Sequence, residues 1–426
     1  MRAAKILNIG LVAAGTKGWI GGVTYVESIA RACRSLPAGT APRLFLVVTD
    51  ESLASLDCYR DVFPLCSSVA YLGSRPPEPV LAQIREAVPP GLPVSTLRRH
   101  RPGADILFPD LMGLVDRTRT VSWIPDLQHL RLPEFSSPDD IAGRNALIAR
   151  LLEKRRPVVL SSEAVKADFL HYFGASLRSE VHVLHFHTLP REEWFRPDPA
   201  PLVRRLELPE KFLICCNQFW KHKNHAVLFE ALEILARRGT VVPLVCTGQT
   251  HDSRWPGFFD ESMDAICGTR IFPHIRFFGI MPREEQIQLI RAAAAMVQPS
   301  RFEGWSTIVE DARALGKTLF LSDLPVHREQ TPPHTLFFDP ARADALADLI
   351  EREWPGLAPG PDPVREAAGR REVEAKTVEC GEAFLRIARD SIRAERRLLL
   401  RPSYWFGPLN RIATRARWKL RALAGR

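Results

Sequence analysis

The chain has 426 residues, an apolar fraction of 46% and a charged fraction of 25%, the composition of an ordinary globular protein too long for one hydrophobic core. No run of about 20 apolar residues occurs, so no membrane-spanning helix is expected. The net charge of +9 is confined to residues 396–426, where Arg396, Arg397, Arg401, Arg411, Arg415, Arg417, Lys419, Arg421 and Arg426 stand without a single acid; the neutral body and the lack of any nucleic-acid motif argue against a nucleic-acid partner.

The first residues place Arg2 and Lys5 ahead of an apolar stretch, as a signal peptide does. That stretch is broken by Asn8 and Gly10 and runs into a glycine-rich turn, so it reads as a buried strand over 6–13. Further strands are predicted over 43–49, 106–108, 120–124, 158–161 and 181–184, then over 212–216, 242–247, 275–278, 295–298 and 318–321. Helical stretches of 3.6-residue period lie between them, at 23–36 and 226–237 among others, and a last helix runs over 363–400. Strands too uniformly apolar to be half-exposed, alternating with helices, predict parallel sheets covered on both faces.

Pro190, Pro197, Pro199, Pro201 and Pro209 mark a boundary. The expected organisation is a first Rossmann-like domain over 1–195, a linker over 196–210 and a second Rossmann-like domain over 211–362. A helix over 363–395 and a basic amphipathic tail over 396–426 follow. Two doubly wound domains facing each other leave a cleft at the carboxyl ends of their sheets, where ligands of such folds bind. The eight cysteines form no CxxC or Cys/His pattern and read as reduced residues of a cytoplasmic protein, and no metal site is expected.

Three stretches are able to carry chemistry. The first, Gly15-Thr16-Lys17-Gly18-Trp19-Ile20-Gly21-Gly22, joins a strand to a helix; its glycines would let backbone approach a ligand, and a helix start favours anions, though a plain loop reads as well. The second, Asn217-Gln218-Phe219-Trp220-Lys221-His222-Lys223-Asn224-His225, sets two lysines at a helix start, against the macrodipole unless an anion sits between them. His222 and His225 lack an evident third metal ligand. The third, from Ser300 to Asp311, places Glu303 in a loop and Glu310 and Asp311 in the following helix. Adjacent acids on a helix point about 100° apart, so only one of them is expected to face the same cleft as Glu303.

At these residues the sequence resembles the retaining glycosyltransferases of family 4, which have the GT-B fold. The match runs from Gly21-Gly22 to Gln330 and is strongest from Phe302 onward. The family has a loop glutamate, seven intervening residues, a second acid, then a glycine before a strand. Alignment on Gly316 makes Glu303 the first acid and Asp311 the second, where glutamate is usual; Glu310 is the alternative. The resemblance implies that Glu303 binds donor-sugar hydroxyls, that Asp311 or Glu310 binds the ribose, and that Gly304, Trp305, Ser306 and Thr307 line the donor. It makes Lys223 the lysine that neutralises the diphosphate. The family's arginine falls at Asn217 or Gln218, so either Lys221 substitutes for it or charge stabilisation is weaker. The wording of 217–225 and of Gly304-Trp305-Ser306-Thr307 is similar to a polysaccharide-biosynthesis subgroup.

Gly21 and Gly22 match the first-domain loop near the diphosphate. Pro125 stands in the family's histidine slot, which leaves Asp126 and His129 as candidates to face acceptor or sugar, with ordinary loop structure as the other reading. The implied activity is metal-independent transfer from a nucleoside diphosphate sugar to a glycan or lipid-linked glycan hydroxyl, with retained configuration and no cofactor. Rival readings are an epimerase or phosphorylase of the same fold, and a non-catalytic sugar-nucleotide or membrane scaffold. In the tail, Leu409, Ile412, Ala416, Leu420 and Leu423 fall on one helical face, with Trp405 and Trp418 suited to an interface. That pattern predicts a peripheral helix on the anionic inner face of a membrane, or else one packed on the protein itself.

Overall fold

The computed structural model describes residues 6–97, 103–111, 120–153, 155–174, 177–252 and 254–399. The basic tail from residue 400 onward lies outside the described residues, as do the side chains of 395–399.

In chain order the first half comprises β1 (Asn8–Val12), α1 (Ile20–Arg34), β2 (Arg43–Val48), β3 (Val69–Tyr71), α2 (Pro77–Ala87), β4 (Val94–Thr96), β5 (Ile106–Asp110) and β6 (Thr120–Ile124). It continues through α3 (Gln128–Arg131), α4 (Pro138–Glu153), β7 (Val158–Leu160), α5 (Glu163–Phe173) and β8 (Val181–Val183). These strands form one parallel sheet in the order β4-β3-β2-β1-β5-β6-β7-β8. Every residue of β5 and β6 is buried, as strands covered on both faces require. The core is aromatic at its centre: Tyr25 of α1 stacks on Trp123 of β6 at 3.6 Å, and Phe186 meets the same tyrosine edge-on.

Two short helices, α6 (Glu192–Phe195) and α7 (Ala200–Arg205), lead into the second half. The interval 196–210 is therefore more than a linker. Leu202, Val203 and Leu206 pack on the second domain's core, with prolines at the first turn of α7, where a missing N–H costs nothing. Then come β9 (Leu213–Cys216), α8 (His225–Arg237), β10 (Leu244–Thr247), α9 (Phe258–Ile266), β11 (Ile275–Phe277), α10 (Arg283–Ala292), β12 (Ala295–Gln298), α11 (Thr307–Ala314), β13 (Leu319–Ser322), α12 (Pro325–Gln330), β14 (Thr335–Phe338) and α13 (Ala343–Glu353). The second sheet is also parallel, ordered β11-β10-β9-β12-β13-β14, and its strand order reverses between β9 and β12.

The last helix, α14 (Pro363–Leu399), belongs to both halves. Near its start Gly369 lies against the carbonyl oxygens of Arg313 and Ala314 in α11. Farther along, Phe384, Leu385, Ala388 and Ile392 join the first domain's core, where Phe384 packs on Phe108 at 5.0 Å. Among the described residues no helix is long and apolar enough to cross a membrane, and all eight cysteines are free thiols.

Candidate functional site

The reversal between β9 and β12 opens a crevice at the carboxyl ends of the second sheet, and both motif loops of that sheet leave from its two sides. After β9 the chain makes a 3-10 turn over Lys221–Lys223 and passes through Asn224 at φ 58°, a left-handed conformation that asparagine tolerates. The Asn224 amide then donates to the carbonyl oxygens of Pro299 (3.1 Å) and Pro340 (2.9 Å), which ties this loop to the one after β12.

So fixed, Lys223 reaches Glu303: Nζ donates to Oε1 at 2.7 Å, with about a tenth of either side chain exposed (11% and 9%). The same oxygen accepts from Ser300 Oγ (2.7 Å) and Gln298 Nε2 (2.9 Å), while Oε2 takes no hydrogen bond from the described residues. Asn217, buried at the end of β9, donates to Gln298 Oε1 at 2.7 Å. Lys221 is turned away from this pair, with its ammonium 4.1 Å from the Trp255 ring centroid. Gln218 is half-buried beside it.

The two helical acids of α11 take different partners. Glu310 receives His187 Nδ1 (2.6 Å), Gln330 Nε2 (3.0 Å) and Arg313 Nε (3.3 Å). Burial pushes its carboxyl up, but His187, Arg313 and Gln330 together hold it below the usual glutamate value. Asp311 receives Arg283 Nη2 at 2.5 Å; here burial wins over the guanidinium, and the carboxyl sits above its usual value. Arg283 also lines a cavity of about 270 Å³ that runs beside Ile20, Thr24, Glu27, Thr188 and Trp194, between α1 and the segment 188–194. At the start of α11 the Ser306 amide is bonded to Gln330 Oε1 (3.1 Å), and Thr307 opens the helix.

The first domain closes over this crevice. A Cβ on Gly304 would press into the carbonyl oxygen of Pro125 and the side chain of Asp126, so only glycine permits the two loops to meet. Trp305 Nε1 donates to Phe186 O (2.8 Å) and its ring stacks on His185 at 4.6 Å. Asp126 accepts from Arg144 (2.8 Å) and from the Gln128 amide (3.0 Å). His129 is fully buried on Asn145 (3.1 Å) and held neutral, by burial first and by Arg144 second. Gly21 and Gly22 lie in the first turn of α1, and Gly22 packs directly on Gly15, a close approach that accounts for both of those glycines structurally.

His222 and His225 are buried; His225 stacks on Phe219 at 4.0 Å, and burial brings its imidazole down to about 3. Among the described residues no three His, Cys, Asp or Glu side chains are placed to hold a metal ion. Gln298, Arg283, His187 and Gln330 are residues of the site to which the sequence reading gave no role. Two had a signal: Gln298 ends an otherwise apolar strand, and Arg283 is a base at a helix start, the same anomaly that marks Lys221 and Lys223.

Residues 203–353 match the family described as glycosyl transferases group 1. No curated protein matches the chain. Solved structures match over both domains: sucrose-phosphate synthase from Thermosynechococcus elongatus at TM-score 0.56 and 16% identity, covering 92% of this chain and 99% of that one. Anabaena HepE, solved with UDP and glucose, gives 0.61 and 14% over 92% and 100%. A glycosyltransferase from Rickettsia africae gives 0.61 and 15% over 91% and 99%. The fold is GT-B.

Proposed function

We propose that the protein transfers a glycosyl group from a nucleoside diphosphate sugar to an acceptor hydroxyl, with retained configuration and without a metal ion. The observation that carries this reading is the Lys223–Glu303 pair, held at the strand reversal of the second sheet and facing the first domain. Glu303 keeps one carboxylate oxygen saturated by protein donors and the other available to donor-sugar hydroxyls. Lys223 and the start of α11 meet the charge that develops on the leaving diphosphate, the largest catalytic contribution available to such a site. Asp311, with Arg283, is the better placed of the two helical acids to meet a ribose beside the 270 Å³ cavity, because Glu310 is committed to His187, Arg313 and Gln330.

Retention follows from the resemblance, in which the leaving phosphate assists the acceptor hydroxyl; Asp126, engaged by Arg144, is a poor covalent nucleophile. The Anabaena neighbour was solved with UDP-glucose, which makes UDP-sugars the first donors to try. Asp126, which meets Gly304, is the candidate of the two for the acceptor side, whereas His129 is fully buried and at most supports it. A glycan or lipid-linked glycan acceptor, made at an anionic membrane surface for a polysaccharide, fits the basic residues of 396–426.

Thermal-shift screening against UDP-, GDP-, ADP- and dTDP-sugars, with and without EDTA, tests the reading. A ligand of the native state at 100 times its Kd stabilises by about 2.7 kcal/mol, which at roughly 2–4 °C per kcal/mol is about 5–11 °C for a domain of 150–250 residues and less for a longer chain. The expected result is an EDTA-insensitive shift with one base, abolished in Glu303→Ala and Lys223→Ala. A folded protein that shifts with none of them favours the scaffold reading, or a donor that binds only after the acceptor.

A further inference from the structure

Glu303 is held by an oriented relay, and the relay begins at Asn217, one of the two positions where the resemblance places the family's arginine. Asn217 donates through Nδ2 to Gln298 Oε1 (2.7 Å), and Gln298 Nε2 donates to Glu303 Oε1 (2.9 Å), with Ser306 Oγ also within reach at 3.3 Å. Asn217 and Gln298 are buried at 2% and 0% exposure. The direction of this chain is forced. A carboxylate only accepts, so Gln298 must show Glu303 its NH2 face; its oxygen then turns to Asn217, which must show its own NH2. Reversing either amide would set two acceptors against each other in a buried site, at a cost comparable to an unmade hydrogen bond.

The relay matters because Lys223 has two claims on it. In this structure its ammonium neutralises Glu303, and in the function proposed above it must also meet a diphosphate. A buried carboxylate that loses its only cation is costly to keep charged and aimed unless other donors hold it. Gln298 and Ser300 are those donors, both on the same Oε1, so Oε2 keeps its direction when the lysine turns to phosphate. We infer that Asn217 and Gln298 are positioning residues which keep Glu303 aimed at the donor sugar while Lys223 is handed to the diphosphate. The inference rests on the glycosyltransferase reading and adds to it the means by which the sugar, as distinct from the nucleotide, is recognised.

The test compares two affinities in each variant by calorimetry: UDP-glucose against UDP, with the GDP, ADP and dTDP pairs run alongside. Gln298→Met removes the donor to Glu303 at similar size. Asn217→Asp supplies an acceptor to Gln298 Oε1 and so favours the flipped amide. In both, the ratio of nucleotide-sugar to nucleoside diphosphate affinity should move against the sugar by about tenfold or more, the worth of a hydrogen bond to a charged group. Affinity for the diphosphate alone should stay within about threefold. General loosening of the domain would weaken both ligands together, and Ser300→Ala, which removes the other neutral donor, should repeat the selective loss if Gln298 cannot be replaced without unfolding. An unchanged ratio in folded Gln298→Met and Asn217→Asp overturns the relay and leaves the transferase reading standing. If wild type binds none of the nucleotide pairs, the transferase reading fails and the relay falls with it.

Discussion

At the scale of single residues, burial has settled the charge of several histidines. His225 is brought to about 3 by burial and then by the nearby Lys223, His327 to about 4 by burial, and His222 is lowered for the same reason. Each is neutral in the fold but free to protonate near 6.5 in the unfolded chain. Protons therefore favour the unfolded state: the stability these residues contribute is complete above pH 6.5 and is lost as pH falls toward 4 and 3. The melting temperature should accordingly drop steeply on acidification from 6.5. His225 makes no hydrogen bond among the described residues and stacks on Phe219, so His225→Phe should keep the packing and remove one of the titrating groups. Wild type should lose roughly 1.4 kcal/mol per pH unit at this position over that window and the variant nothing. Parallel melting curves for the two proteins between pH 7 and 4.5 would show that the imidazole is not held neutral.

At the scale of elements, the long helix α14 is what joins the two domains, and its fit to α1 turns on one residue. A Cβ at Gly381 would collide with the carbonyl oxygen of Ala32 in α1, so the helices touch backbone to backbone there. Gly381→Ala should cost about 1–3 kcal/mol by overpacking. Gly143, exposed in the middle of α4 with nothing near it, is the matched control: Gly143→Ala should stabilise by about 0.5–1 kcal/mol through helix propensity alone. Urea titrations of both variants decide this, and equal effects of one sign would show that α14 does not pack as described. The same elements show what was legible beforehand. The apolar runs at 120–124 and 295–298 predict β6 and β12 to the residue, because each is buried on both faces. The strands β3, β4 and β14 are not read from the sequence: β4 and β14 are mostly half-buried or exposed, and all three are fixed by pairings such as Val69 with Val94 and Leu319 with Thr335. The site divides along the same line. Glu303 and Lys223 stand in recognisable local wording, whereas Gln298 meets Asn217 across 81 residues and His187 meets Glu310 across 123, and no local pattern encodes either meeting.

At the scale of the whole molecule, contacts across the cleft and charge outside it point to one arrangement. Glu329 of the second domain accepts from the Glu163 (2.7 Å) and Ala164 (3.1 Å) amides at the start of α5 in the first, a carboxylate on a helix N-terminus, and also pairs with His185 just after β8. These polar contacts add to the apolar packing of α14 and Trp305 in joining the two domains. The net charge of the chain, by contrast, resides wholly in residues 396–426, which begin at the end of the helix that binds the domains together. Near an anionic leaflet each base contributes about 1 kcal/mol, so attraction remains substantial even if only half of the nine engage. The force is screened with a Debye length of about 10 Å at 0.1 M salt and about 3 Å at 1 M. Full-length protein should therefore sediment with phosphatidylglycerol-containing vesicles and be released by salt, while a chain ending at Leu399 should stay in the supernatant with its donor-induced thermal shift intact. Equal sedimentation of the two chains, or equal binding to phosphatidylcholine alone, would place the membrane contact elsewhere and leave the tail to bind the protein itself.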